Sequence, residues 1–596
     1  MKKVKFLGFK TMVTTIVGLG LIGCGGGSSS TTILPTNQTT TKEAQLIDSA
    51  IQGVDYTTNS LSGTTDESGT FQYNPTDTTI TFRVGSLTLA DFNLSKLNSD
   101  NKLLPADIFG VSRENTTDAN LLKFIRVVQS LDTDNNPNNG ILIDDNTKGF
   151  LATDINIKDA NISQLKTIMI SANKTLKLER ASREHYKSTL SSIGVSPQFA
   201  PFVTVWETNS TDSNITIPTN SNYTYNYIVD WSDGNIENNI TGDITHTYST
   251  DGNHTVKISG EFPHLYMIQR NEDDILSATT EERNNAKQLQ LVLSWGDIIW
   301  KNFKSSFALC QNIQFNSNNT PNLKDVTSMN SMFTYAINFN SNINDWDVRN
   351  ITDMAYLCYG AKSFNQPLNR WDVSNVTSMI EMFDEAKNFN QPLNNWNISN
   401  VKYTSYMFLN ADNFNQPLND WNTSSIISFQ GMFYYAKTFN QPLSKWDISN
   451  AQYIGQMFSH AENFNQDISS WNTSNVTAMQ SIFEATNEFN QDISDWNTSN
   501  VIHMSYMFNG AKKFNKPLNK WDVSKVQRMR QMFSHAESFN QDISNWNTSN
   551  VTDMEFMFID ASAFANQDLS GWDVSKVTKH DFFMTRAGSG NTEPNW

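Results

Sequence analysis

From about residue 321 onward the pattern of apolar and polar positions repeats every 25 residues. Trp stands at 346, 371, 396, 421, 446, 471, 496, 521 and 546, then at 572 after a one-residue insertion. Phe-Asn recurs at the same period from Phe339-Asn340 to Phe539-Asn540. In the unit KSFNQPLNRWDVSNVTSMIEMFDEA (362–386), Val376, Met379, Phe383 and Ala386 fall at i, i+3, i+7 and i+10. That spacing predicts one face of a short helix, with Ser374 or Asn375 placed to accept from its first amides. Two residues after each Trp stands a β-branched residue: Val348, Val373, Ile398, Thr423, Ile448, Thr473, Thr498, Val523, Thr548 and Val574. This column predicts a short strand through Trp-Asp-Val. Pro367, Pro392, Pro417 and Pro442 share one column; proline donates no ladder bond, so the strand begins after it. Each unit thus predicts a strand, a helix and a turn, and their succession predicts a C-terminal solenoid over 323–586 with a tail at 587–596.

Upstream the periodicity changes. In 44–198, VDYTTNSLSGTTDESGTFQYNP and ITFRVGSLTL are β-rich runs broken by Gly, Asn and Asp, while LLKFIRVVQSL (121–131) has helical spacing. This region predicts an α+β domain. DTDNNPNNG (132–140) sets Asp132, Asp134 and Asn136 at alternate positions, like the start of a calcium loop. Ile143 stands where the closing Glu would be, which favours an Asx-rich turn ending the helix. Residues 199–267 alternate apolar and polar residues around DG turns and predict a small β-sandwich. Residues 268–322 are expected to cap the first repeat unit, whose apolar face would otherwise meet water. The predicted class is multi-domain α+β.

Three segments resemble known families. FNQPLNRWDVSNVTSMIEMF, FNQPLNNWNISNV and FNQDISNWNTSNVTDMEFMF resemble the BspA-like leucine-rich-repeat surface proteins, in particular the subgroup with a 25-residue repeat found in bacterial surface lipoproteins. WSDG (231–234) with HTYSTDGNHTVKISG (246–260) resembles PKD-type, immunoglobulin-like modules. At the start, Lys2, Lys3, Lys5 and Lys10 precede the apolar stretch 12–22, a targeting segment (1–23) too short to span a bilayer. Leu21-Ile22-Gly23-Cys24 is similar to a bacterial lipobox, which implies acylation of Cys24. Gly25 follows where an Asp would resemble an inner-membrane retention signal, so the outer membrane or cell surface is the expected location. A Gly/Ser/Thr-rich tether (24–43) comes next. The repeat resemblance implies a surface or secreted protein of adhesion type, its partner an extracellular protein or glycan.

The composition suits that setting. With 15 Trp and 37 Phe the chain needs a core, and its net charge of −17 argues against nucleic acid, whose phosphates require a basic patch. Cys310 and Cys358 are not at metal-ligand spacing, and their places in the repeat set them too far apart for a disulfide. No nucleophile elbow, HExxH or phosphate loop occurs, so no catalytic residue, metal or cofactor is expected. A polysaccharide-active enzyme is the remote alternative, and a structural envelope or stalk protein without a ligand the nearer one.

Within the repeat, columns that never change read as packing, and columns that vary read as candidates for recognition. One strip flanks each Trp: Arg370 and Asp372, Lys445 and Asp447, Asp495, and Lys520. A second is aromatic, with Tyr356, Tyr406 and Tyr506 in one column and Tyr335, Tyr359, Tyr434 and Tyr435 nearby. Within 362–386 the changing columns are those of Arg370, Ile380, Glu381, Asp384 and Glu385.

Overall fold

The computed structural model describes residues 40–177, 179–270, 272–317 and 319–596; Cys24, the targeting segment and nearly all of the tether lie outside them. The described chain is mostly β with few helices, arranged in several sheets, and ends in the repeats. No described helix is long and apolar enough to cross a membrane.

In the N-terminal region, strand Lys42–Leu46 includes the last two residues of the expected tether. A five-stranded sheet holds the hairpin Thr79–Val84/Leu87–Asn93, the ITFRVGSLTL run. Helix Ala119–Leu131 lies in the core, capped by Asp118, whose side chain accepts from the amides of Asn120 and Leu121. The segment after it is an Asx turn: Asp134 accepts from the Asn136 amide at 2.9 Å and from Asn139 Nδ2 at 2.8 Å. This region keeps its own apolar core, from Ala44 to Leu190.

The sandwich forms from strands Phe202–Thr208, Asn226–Asp230, Ile236–Ile240 and Gly252–Glu261 facing the pair Asn214–Ile217/Ile244–Thr247. Its larger sheet continues through Leu289–Ser294 to Gln314–Phe315, which lie in the expected cap. Accordingly one apolar core runs without a break from Phe202 to Phe583. Trp295, Trp300, Phe303, Phe307 and Phe315 plug the first repeat, Trp295 meeting Trp346 edge-on at 5.3 Å. Expected as separate blocks, 199–267 and 268–322 share this core with the repeats.

The repeats differ from expectation in backbone. Among the described residues of 323–586 there is neither a helix nor a strand, so the leucine-rich-repeat unit of strand plus helix is not what the chain forms. Consecutive units join through single-residue parallel bridges, from Ser328↔Asp353 to Asp553↔Lys579. The apolar spacing taken for a helix belongs to a chain of tight turns. In 379–386 the amides of Met382, Asp384 and Ala386 close turns onto Met379, Glu381 and Phe383. The alternate amides of Met379, Glu381, Phe383 and Glu385 reach instead to Tyr403, Ser405, Met407 and Leu409 of the next unit, at 2.8–3.0 Å. From Glu381 to Ala386 every amide is satisfied, half locally and half across the stack, so a helix would gain nothing. The cost is two left-handed residues per unit, such as Glu381 (φ 50) and Glu385 (φ 52), or Tyr406 (φ 57) and Asn410 (φ 53).

Aromatic columns fill the interior. Phe339 to Phe564 stack unit on unit with centroids 5.6–6.2 Å apart, and a second Phe column lies against the first, Phe383 on Phe389 at 4.0 Å. The Trp column is equally buried; Trp371 stacks on Trp396 at 6.4 Å and 4°. From Trp371 to Trp572 each ring donates its Nε1 proton to a carbonyl one unit back, Trp421 to Leu393 at 2.9 Å, for example. Each such ring contributes roughly 1.5–3 kcal/mol through burial. Cys310 and Cys358 are both buried and unbridged. The cap is one residue out of register: Phe307 stacks on Phe333, which places Cys310 in the Ala336 column.

Candidate binding surface

The strip flanking Trp is exposed, as its alternation with buried Trp371 and Val373 requires. Its charges, however, are largely committed within the stack. Arg370 pairs with Asp345, Lys445 with Asp420 at 2.8 Å, and Lys520 with Asp495 at 2.6 Å, each across one unit. Asp372 accepts from the Ser374 amide and hydroxyl at 3.1 and 2.6 Å, and Asp447 from the Ser449 amide at 2.9 Å. That Asx turn explains a column restricted to Asp and Asn: the side-chain oxygen replaces a backbone acceptor at the corner after Trp. The D-x-S and N-x-S spacing was the available signal. Asn375 caps no helix; its Nδ2 donates to the Arg349 carbonyl of the preceding unit at 2.7 Å.

The Phe-Asn asparagines form a ladder. Asn365 Oδ1 accepts from the Asn390 amide at 3.0 Å and from Gln391 Nε2 at 2.9 Å, and the pattern recurs down the stack. Their side-chain oxygens hold the stack together.

The aromatic strip is different. Tyr356, Tyr406 and Tyr506 occupy the first left-handed position of their units and Tyr335 and Tyr435 the second, so a sharp corner carries each half-buried ring onto the outer face. Because every unit has such corners, the strain belongs to the architecture and marks no site by itself. Neighbouring units make room for the rings. A Cβ on Gly360 (φ +68) would strike the Tyr335 ring at 2.6 Å, and one on Gly431 (φ +60) the Tyr406 ring at 2.2 Å. Tyr335 and Tyr359 join by their hydroxyls at 3.1 Å. Gln430 donates to the Tyr406 hydroxyl at 2.7 Å, which donates on to Gln456 at 3.0 Å. Further along, Tyr435 stacks on His460 at 4.2 Å and 9°, beside Tyr434.

Between these tyrosines lies an acidic unit. Glu381 stands between Tyr356 and Tyr406 in its column, Asp384 between Tyr359 and Leu409, and Glu385 beside Gly360. Asp384 is 3% exposed, and its Oδ1 is buried with no hydrogen-bond partner. Burial, with Glu381 and Glu385 beside it, pushes its carboxyl up to about 8. Asp48, in the N-terminal core, is pushed up to about 7 by burial despite a 2.8 Å bond from Gln129 Nε2. Both folded acids therefore hold a proton that the unfolded chain, near 3.8, has lost, so stability falls as pH rises from about 4 toward 8 and is level above. Every tenfold difference in proton affinity between the folded and unfolded chain is worth at most about 1.4 kcal/mol. The expected result is a higher thermal midpoint at pH 5 than at pH 8.5. Asp384→Leu, which copies Leu409 of the next unit, should shrink that difference and raise the pH 8.5 midpoint.

Among the described residues no group of three or more His, Cys, Asp or Glu is arranged to hold a metal ion. No curated protein and no solved structure matches the chain. Residues 301–421, 407–512 and 479–596 each match the family model described as "Mycoplasma protein of unknown function, DUF285", so the repeat region, with the end of its cap, is similar to that family throughout its length.

Proposed function

We propose that this chain is a bacterial cell-surface lipoprotein, anchored through acyl chains on Cys24, that displays its repeat stack for non-catalytic, adhesion-type binding of an extracellular protein or glycan. The likeness of its repeats to BspA-like proteins and of residues 199–267 to PKD-type modules supports the same reading. The observation that carries it is the division of the repeat into two kinds of column. Trp, Phe and Met are consumed inside and the Phe-Asn side-chain oxygen in the ladder, whereas the Tyr335–His460 strip puts aromatic rings of changing identity on the outer face. Aromatic side chains on a rigid support are the usual energetic centres of interfaces.

A stalk protein without a ligand is the second reading, and the pairing of Lys445 with Asp420 and Lys520 with Asp495 favours it, since those charges stiffen the stack. Two measurements separate the readings. Cys24→Ala should move the protein from the membrane fraction to the soluble one; retention in the membrane fraction overturns the anchor. The soluble Cys24→Ala chain applied to protein and glycan arrays should bind selectively; uniformly blank arrays leave the stalk.

A further inference from the structure

Resting on that reading of the strip, we infer that the Glu381–Asp384–Glu385 unit, walled by Tyr335, Tyr359 and Tyr406, is a site for the ammonium or guanidinium of a basic side chain on the partner. Three observations converge. One turn of the stack concentrates three carboxyl groups, and the turns on either side supply phenol rings, whose faces attract cations. Asp384 is buried with an oxygen lacking any donor, an arrangement that costs free energy unless a positive group can reach its neighbourhood. The space is also kept open for rings: Gly360 and Gly431 lie under Tyr335 and Tyr406, where any side chain would collide.

Other charges nearby are few. Lys362 lies 3.8 Å from Glu385 with both side chains partly exposed, an ion pair an incoming cation can replace. Lys387 turns to Asp412 at 3.6 Å. Burial raises Tyr335, Tyr359 and Tyr406, and the acidic unit adds to each, so all three stay neutral near pH 7. The half-buried ledge favours a side chain over a free amine, because a peptide extends toward Tyr434, Tyr435 and His460 along the same face.

The chemistry couples binding to a proton. Near neutral pH Asp384 is a neutral carboxylic acid. A cation held by Glu381 and Glu385 favours its carboxylate, so its O–H bond breaks heterolytically and the proton passes to solvent. Affinity therefore rises from pH 6 to about pH 8 and then levels.

The test is calorimetric titration of the intact Cys24→Ala chain with a hexalysine peptide, at pH 7 in two buffers of different ionisation enthalpy. The parent should release up to one proton per site. Asp384→Asn should bind with no proton release, and Glu381→Gln with Glu385→Gln should weaken binding by roughly tenfold or more. A cooperative thermal transition in each shows that these variants are folded. The inference is overturned if the parent binds without releasing a proton, or if the double Gln variant binds as tightly as the parent. If hexalysine fails to bind while an array partner binds through the tyrosines, only this inference falls. If nothing binds, the reading of the strip falls with it.

Discussion

Asp297→Ala should cost about 3–5 kcal/mol and separate the melting of residues 44–198 from that of the rest. Asp297 lies in the cap, in SWGDIIW, yet its carboxylate meets the N-terminal helix Glu179–Ser192. Lys187 Nζ lies 2.6 Å from one oxygen and Arg183 Nε 3.3 Å from the other, and the Ala200 amide donates to the first at 2.5 Å. All three charged side chains are nearly dry, at 2–7% exposed. Removing the anion leaves two cations buried together with only the more distant Glu179, 3.9 Å from Arg183, and Glu184, 3.5 Å from Lys187, to balance them. Calorimetry should then show an early transition for the N-terminal region, and protease should cut near 195–201. Replacing the three residues, Asp297→Leu with Arg183→Met and Lys187→Met, should recover part of the loss, since the buried charges leave together and Glu179 keeps Arg126 near it. A single unshifted transition in Asp297→Ala would show that the cluster carries no weight.

The second large effect is expected at the Trp column. Trp421 is 2% exposed, stacks on Trp446 at 6.3 Å and 7°, and donates to the Leu393 carbonyl. Trp421→Ala should cost about 3–5 kcal/mol through the cavity and the loss of one of the two hydrogen bonds on the Leu393 carbonyl, which keeps the Trp396 amide. Because the backbone bridges and ring stacks run between adjacent units, the break should also weaken the coupling between the two halves of the stack and broaden the urea transition. A Trp ladder built to bind sugar would lie in solvent, and its truncation would leave the transition within about 0.5 kcal/mol of the parent. Trp421→Phe, which keeps a ring but no donor, should fall between.

How much of this was legible follows from what each pattern constrains. The 25-residue period marked the stacked columns because burying a column needs the same apolar residue on every turn. The same pattern misled about backbone. Val376, Met379, Phe383 and Ala386 satisfy a helical wheel, but successive tight turns also carry them inward, and apolar spacing does not report where the amides bond. Glycine was the overlooked signal: Gly360, Gly431 and Gly510 stand at left-handed positions that a helix interior would not contain. The flanking strip is exposed, but its pairing was hidden because Lys445 and Asp420 meet only once the register is known. The latch at Asp297 had no sequence signal, since nothing in SWGDIIW names a helix more than a hundred residues upstream. Burial of Asp384 was equally hidden: its column holds Thr334, Tyr359, Leu409 and Ser459 and reads as surface until the corner places it inside.

The central claim is that the invariant columns build the stack and the aromatic strip does the recognising. Two soluble variants in the Cys24→Ala background test it on the same protein and glycan arrays. One carries Tyr406→Ala, Tyr434→Ala and Tyr435→Ala; the other carries Arg370→Ala, Lys445→Ala and Lys520→Ala on the flanking strip. The tyrosine variant should lose the parent's binding by roughly tenfold or more while the flanking variant keeps it. Equal binding by both, or loss in the flanking variant alone, would contradict the claim.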